Sequence, residues 1–256
     1  VVGPNEGDMA CGEYGPGRMS EPQEIFAAIA ALLKDGPLKG KRAIVTAGPT
    51  VESIDPVRFL SNRSSGKQGY AIASALAQAG ADVTLVSGPT ALAAPLGVTL
   101  VRVESARQML AACQAALPVD AAVMVAAVAD WRPAAPAGEK IKKGAAGPSA
   151  LALEENPDIL ATLSKPGKKR PRLVIGFAAE TEKLEEHARA KIAKKGCDWI
   201  IANDVSGAVM GGDHNQVLLI SEDGAESSPL MGKDEVAQKL AAKQAQALSA
   251  KGAGRG

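Results

Sequence analysis

The sequence predicts an α/β protein on a doubly wound, mostly parallel, Rossmann-like sheet, and three observations carry that prediction. Short β-rich apolar runs alternate with helical stretches from residue 43 to about residue 202. One run, DAAVMVAAV at 120–128, is almost continuously apolar, the pattern of a central strand buried on both faces. The first run is followed by a Gly-Pro break, a long polar loop and an alanine-rich helix, the unit with which such sheets open. Ligands of these sheets lie at the carboxyl ends of the strands, where the strand order switches.

The opening unit organises the rest. Residues 43–47 form the strand, Gly48-Pro49 breaks it, and the loop ends in SNRSSG at 61–66. Tyr70, Ile72, Ala73, Leu76 and Ala77 recur at helical spacing. Either Ser64 or Ser65 is the expected N-cap, and Gly80 the residue that closes the helix. Strand, loop and helix N-terminus in that order make an anion site, because unpaired amides and the helix dipole face the same space. The G-x-G-x-x-G fingerprint of dinucleotide folds is absent, since Gly66 and Gly69 arrive far from Gly48, and so is a Walker A loop.

Upstream, residues 1–24 read as a loop-rich piece of something longer. Ser20 with Gln23 predicts a capped helix to about Lys34, with Pro22 in its first turn. Gly36-Pro37 is the expected domain boundary, giving an appendage at 1–37 and the main domain at 38–256.

Downstream, 82–87 and 98–103 are further strands, and Ser105 caps a helix to about Leu117. Residues 130–150 (DWRPAAPAGEKIKKGAAGPSA) form a long Pro/Gly/Ala-rich loop with a basic knot at Lys140, Lys142 and Lys143, a candidate mobile flap at the end of the central strand. A helix begins near Asn156-Pro157-Asp158. The strand at 173–178 leads to a helix over 182–195, where Lys191 and Lys195 share one face. A strand at 198–202, an antiparallel edge strand at 216–221 and a C-terminal helix at 233–250 complete the chain.

Composition excludes several functions. With 29 Lys+Arg against 28 Asp+Glu and 3% aromatic residues, the chain lacks the clustered basic face and stacking platform of a nucleic-acid binder. No apolar run has the length of a membrane span. Cys11, Cys113 and Cys197 form no Cys-x-x-Cys pair and read as reduced thiols in a cytoplasm; His187 and His214 are too few for a histidine metal site.

Six motifs then occur in order: AGPTVESIDPVRFLSNRSSGKQG (47–69), AAVADWRP (126–133), EKIKK (139–143), ENPDIL (155–160), GFAAET (176–181) and ANDV (202–205). Together, over about residues 38–250, they resemble bacterial phosphopantothenate–cysteine ligases, the second half of bifunctional coenzyme A biosynthesis proteins. MACGEYGPGRMSEP, before them, resembles the end of the flavin-dependent decarboxylase half, in which Cys11 would be the proton donor. The FMN site and catalytic histidine of that half would lie upstream, so decarboxylation is not expected from this chain.

The resemblance implies a two-step, Mg²⁺-dependent amide synthesis from 4′-phosphopantothenate, cysteine and CTP through an acyl-cytidylate. It implies that Asn62 handles the acyl-cytidylate in the second step and that Lys140 contacts the nucleotide from the flap. Ala126, Asp130, Asn156, Pro157, Phe177, Lys191 and Lys195 would line the CTP pocket, with Ser64, Ser65 and Gly66 in the phosphate and substrate loop. Asp130 would bond the ribose or hold Mg²⁺; the Mg²⁺ ligands are otherwise unassigned. The family is dimeric, and its flap reaches toward a neighbouring subunit; higher oligomers would form through the decarboxylase half. Where family members carry a histidine after the asparagine, this chain has Arg63. From the residues alone, a nicotinamide-dependent reductase and a non-catalytic nucleotide-binding regulator are the alternatives.

Overall fold

A computed structural model of the chain describes residues 3–8, 12–32, 36–142, 150–180, 184–204 and 214–253. Cys11, Lys143, Thr181 and Val205 therefore lie outside the described residues.

The N-terminal segment, expected to be loop, is an antiparallel hairpin of β1 (Asn5–Asp8) and β2 (Tyr14–Arg18), followed by α1 (Pro22–Leu32). The helix cap is one residue later than the Ser20 reading. The Glu21 amide donates to the Glu24 carboxylate (2.8 Å), while the Ser20 hydroxyl turns to Asn5 Oδ1 (3.5 Å).

The main unit then runs β3 (Arg42–Ala47), β4 (Val51–Ser53), β5 (Phe59–Ser61), α2 (Lys67–Gln78), β6 (Asp82–Ser87), β7 (Val98–Arg102), α3 (Ala106–Ala116) and β8 (Ala121–Met124). It continues with β9 (Trp131–Pro133), β10 (Leu153–Glu155), α4 (Ile159–Ser164), β11 (Leu173–Glu180), α5 (Leu184–Lys195) and β12 (Trp199–Asp204). Last come β13 (His214–Asn215), β14 (Val217–Ser221), β15 (Gly224–Ser227), β16 (Met231–Gly232) and α6 (Lys233–Ala253).

Eight strands form the central sheet in the order β15-β14-β12-β11-β8-β3-β6-β7. Pairing is parallel from β7 through β12 and antiparallel at β14 and β15. The chain leaves β3 toward β6 and β7, then crosses back to lay β8 on the other side of β3. The strand order switches between β3 and β8, and the carboxyl ends of the strands around that point are where a ligand of such a sheet lies. The strand expected at the antiparallel edge is present as β14, but β15 takes the edge position.

Alternate residues of the parallel strands feed two cores. Val45, Val123, Leu173 and Ile175 pack with Ile72, Leu76, Val236 and Leu240 under α2 and α6. Ile44, Ala122 and Val174 pack with Met109, Cys113, Ile159, Leu163 and Ala188 under α3, α4 and α5. Gly69 allows α2 to lie against β3, since a Cβ there would come within 2.6 Å of Ala47 Cβ.

Three local differences from expectation shape the site. First, α2 has no serine cap: Gly66 is its N-cap at φ 76°, without a side-chain bond. A serine cap needs extended backbone, whereas this chain enters left-handed, with the Gly66 amide bonded to Ser64 Oγ (3.3 Å). The other end is as expected: Gly80 at φ 96° and Ala81 return amides to Ala77 and Leu76 carbonyls, both at 3.0 Å, a Schellman closure.

Second, the central strand stops after four residues. The Val125 and Ala126 amides donate to Thr46 Oγ1 (3.1 and 3.2 Å), and the Ala129 amide to Thr50 Oγ1 (2.9 Å). The Ala127 amide also donates to the Gly48 carbonyl (2.9 Å), and the Ala127 carbonyl accepts the Thr50 amide (3.3 Å). Beyond the regular ladder, residues 125–129 therefore run beside the turn that follows β3, bridged to it at Pro49 and held by two buried hydroxyls. Third, the loop expected at 130–150 starts as a strand. Trp131 to Pro133 pair antiparallel with Glu155 to Leu153, so β9 and β10 form the base of an arm.

Candidate active site

Two chambers open over the carboxyl ends of β3, β8 and β11. The first has a volume of about 480 Å³ and is lined by all seven residues expected at a nucleotide pocket: Ala126, Asp130, Asn156, Pro157, Phe177, Lys191 and Lys195. The second, about 420 Å³, is lined by Asn62, Ser64, Ser65 and Gly66, with Arg63, Lys67 and Asn203. Ala126, Val128, Asp130, Phe177 and Lys191 line both, so the chambers are halves of one cleft.

The cleft is positioned by the sheet. Ala126 and Val128 lie on the segment after β8 that the two threonine hydroxyls hold beside the turn following β3, and Phe177 stands on β11 beside the end of β8. Lys191, Lys194 and Lys195 line the first chamber from α5. Opposite them, Asp158 caps α4 by accepting the Ala161 amide (2.9 Å) and forms an ion pair with Lys195. Burial raises the Asp158 pKa, but the Lys195 hydrogen bond, the Ala161 amide and the Lys195 and Lys191 charges outweigh it, and the net shift is downward. A cation held this way neutralises anions less than a free one does.

Asn156 is fixed rather than free. Its Nδ2 donates to the Ala129 carbonyl (2.8 Å), its backbone amide to the Asp130 carbonyl (2.8 Å), and its Oδ1 accepts from Arg132 Nη1 (3.3 Å). Arg132 also bonds the Glu155 carbonyl and pairs with Glu154 (2.8 Å). Asn156 thus braces the chamber wall that carries Asp130.

In the second chamber, Asn62 Nδ2 donates to the Val128 carbonyl (3.0 Å), and the preceding Ser61 hydroxyl to the Thr50 carbonyl (2.7 Å). The loop is therefore bonded to the same segment after β8 and to the turn after β3. Gly48 (φ 73°) and Gly66 (φ 76°) bring the main chain close at the mouth of α2. A Cβ on Gly66 would meet Thr90 Cγ2 at 2.7 Å. The result is a concave surface of backbone and short polar side chains next to a helix N-terminus, suited to an anion.

Lys140 is not brought in. It is exposed and lines neither chamber. Sequence reasoning also missed residues that the structure makes central. Thr46 and Thr50 shape the cleft, and their flanking of Gly48-Pro49 at a strand end was the available signal. Asn203, next to last in β12 and part of the ANDV motif, lines the second chamber and has a buried Oδ1 without a hydrogen bond. Asp55 is almost fully buried with five donors around it, in a stretch read only as polar loop.

Cys113 and Cys197 take no part; both are free, and burial pushes their thiols up to about 12 and about 11. Among the described residues no group of three or more His, Cys, Asp or Glu is arranged to hold a metal ion.

Comparison with known proteins identifies the family. The DNA/pantothenate metabolism flavoprotein C-terminal domain family matches residues 38–248. The coenzyme A biosynthesis bifunctional protein CoaBC of Vibrio parahaemolyticus is 44% identical over 244 residues, covering 94% of this chain and 61% of the relative. That of Escherichia coli K12 is 46% identical over 246 residues, covering 94% and 60%. The chain thus spans about three fifths of the length of these relatives. A crystal structure of a CoaBC C-terminal domain superposes with a TM-score of 0.70 at 43% identity, covering 84% of this chain and 99% of that domain. The chain belongs to the DNA/pantothenate metabolism flavoprotein C-terminal domain family, the C-terminal part of the bifunctional coenzyme A biosynthesis proteins.

Proposed function

We propose that this domain is a CTP-dependent phosphopantothenate–cysteine ligase working in coenzyme A biosynthesis. The observation that carries the reading is the shared wall: a chamber with three lysines and a chamber with an anion loop meet at Ala126, Asp130, Phe177 and Lys191. A reaction that joins a nucleotide to an acyl substrate needs two adjoining pockets of this kind.

In the first step a carboxylate oxygen of 4′-phosphopantothenate attacks the α-phosphorus of CTP. The bond from that phosphorus to the bridging oxygen breaks, and pyrophosphate leaves. In the second, the cysteine amine adds to the acyl carbon, the carbon–oxygen bond to the cytidylate breaks, CMP leaves, and the amine proton passes to solvent. The first chamber takes the nucleotide, with the lysines of α5 on its phosphates and main-chain groups near Ala126 and Phe177 at the cytosine edge. The second takes the acyl substrate, with the Ser64-Ser65-Gly66 loop and the start of α2 facing its anionic groups. Asn62, at the seam, offers hydrogen bonds to the acyl-cytidylate without exchanging a proton. Lys140 approaches from the arm.

Mg²⁺ takes one or two carboxylates and completes its shell with phosphate and water. Asp130, exposed and lining both chambers, suits that role for an ion arriving with CTP, or bonds the ribose. Bound there, the ion would neutralise phosphate oxygens.

Val57, Phe59, Trp131, Ile141 and Leu153 are exposed on the β4–β5 hairpin and the arm, and this apolar surface supports a homodimer. Residues 1–37 are read as the end of a flavin-dependent decarboxylase domain, whose FMN and higher assembly belong to the full-length protein; Cys11 would be its proton donor. No described helix is long and apolar enough to cross a membrane, and the thiols and the pathway support a cytoplasmic setting without nucleic-acid partners.

The test is direct. Purified protein is incubated with 4′-phosphopantothenate, cysteine, Mg²⁺ and either CTP or ATP, and pyrophosphate is followed. Release with CTP is expected; no release with either nucleotide, or a blue-shifted fluorescence on adding NADPH, would overturn the reading.

A further inference from the structure

The β4–β5 hairpin carries a polar cluster that the reaction as described does not use. Asp55, at its turn, is 3% exposed, and both carboxylate oxygens are engaged. Oδ1 accepts the Val57 and Arg58 amides, both at 2.8 Å. Oδ2 accepts Arg58 Nε (2.9 Å) and Nη2 (2.5 Å) and the amide of Ile141 (3.1 Å). Arg58 Nη2 also donates to the Ile141 carbonyl (2.8 Å). One ion pair thus bonds both backbone groups of a residue more than eighty positions away. The Ala137 amide, bonded to the Ile54 carbonyl (2.9 Å), ties the same strip again.

The two-pronged, charge-assisted geometry makes this a strong contact for a surface strip. The Arg58 guanidinium beside Asp55 holds its carboxyl well below the usual carboxylate range, against the opposing effect of burial, so the pair stays ionised at ordinary pH. The Ile141 side chain is itself exposed, so these main-chain bonds, rather than side-chain burial, anchor the strip.

We propose that Asp55 and Arg58 are positioning residues that clamp Ile141 and thereby set the neighbouring Lys140 for the nucleotide step. This rests on the ligase reading. Lys140 lines neither chamber, so its reach is decided by where its backbone is held. The same hairpin runs through β5 into Asn62, which is bonded to the segment after β8 at Val128. The clamp therefore ties the backbone beside the lysine to the hairpin that carries the asparagine.

Asp55→Asn tests it with almost no change in volume, because an amide N–H₂ then faces the donors of Arg58 or Ile141. Hydrogen exchange should quicken in peptides covering 134–142 and stay unchanged in β3 and β8. Pyrophosphate release from CTP and phosphopantothenate, measured without cysteine, should fall roughly tenfold or more, the scale on which misplacement acts. The KM for cysteine should not change. In a Lys140→Ala background, Asp55→Asn should cause no further loss of that rate, since the clamp acts through the lysine. An equal fold-loss in both backgrounds would overturn the proposal in favour of a general structural role, and unchanged exchange over 134–142 would overturn the clamp itself. If Asp55→Asn melts before assay, Arg58→Lys, which keeps the charge and loses the fork, carries the same cycle. Should the unaltered protein release no pyrophosphate with CTP, the ligase reading and the role of Lys140 fall together, while the exchange measurement still decides the clamp.

Discussion

The two chambers share a wall but are made differently. The first is a side-chain site, with Lys191, Lys194 and Lys195 on one helix facing Asp130, Asn156 and Asp158. The second is built around main-chain turns, with Gly48 and Gly66 at positive φ, and takes its side chains from the polar loop at 62–65, the mouth of α2, Lys191 and Asn203. The difference teaches where each can be altered. Charge in the first can be tuned one residue at a time, because each lysine stands on an already formed helix. In the second, the glycine turns that face a ligand also set the path of the chain, so a substitution there should damage both. Asn62, a side chain on the loop of the second chamber, gives the largest expected effect.

Asn62→Asp changes chemistry at nearly constant volume. A carboxylate there would repel the anionic intermediate and lose the amide donor hydrogens. CTP and phosphopantothenate should still be consumed, with acyl-cytidylate accumulating on the enzyme. Amide product should fall by about a hundredfold or more, the cost of removing one donor at a reacting centre. Quenched samples read by mass spectrometry decide it. Asn62 also tethers its loop to the Val128 carbonyl, so equal loss of intermediate and product would assign it to the tether alone.

Gly66→Ala probes the main chain. The new Cβ would sit 2.7 Å from Thr90 Cγ2 in a backbone conformation that side chains disfavour. Left-handed backbone alone costs about 1–2 kcal/mol for a residue with a Cβ. The expected result is a lower thermal midpoint together with weaker binding of inorganic pyrophosphate or phosphopantothenate. A variant that melts normally while losing binding would show that fold and contact are separable here, and would break the comparison.

The same contrast explains what could be read from the sequence. β6 spans the residues its apolar run predicted, and the closure of α2 at Gly80 follows from local steric rules. The β4–β5 and β9–β10 hairpins were invisible because three-residue strands carry no period. They are held by distant bonds, such as the Ala106 amide on the buried Glu52 carboxylate (2.9 Å). The run at 120–128 misled for a different reason: hydropathy cannot distinguish a strand core from a cleft wall, and residues 125–128 line the cleft. The pocket residues became legible only through the motifs as a set, since no single spacing puts Ala126, Asn156 and Lys191 together. Asn203 carried its signal in ANDV, but a strand-end asparagine has too many ordinary uses to stand out.

Asp158→Asn has the smallest expected effect and tests the side-chain chamber at its most adjustable point. Asparagine can still cap α4 through the Ala161 amide, so the fold should hold, while Lys195 loses its carboxylate and becomes available to an incoming phosphate. An exposed pair is worth about 0.2–1 kcal/mol, so CTP should bind roughly two- to fivefold tighter in a calorimetric titration at low salt, and the gain should fade as salt rises. The pH dependence has a definite sign. The Asp158 carboxyl is held below its ordinary value, so its contribution to stability is complete above the unfolded pKa, about 3.9, and is lost as pH falls through the lower folded value. Acid unfolding below that point should therefore lose less stability in the variant than in the native chain. Weaker CTP binding in Asp158→Asn would mean that the carboxylate itself meets the ligand or its metal ion. The first chamber would then depend on a paired acid and base rather than on lysines alone.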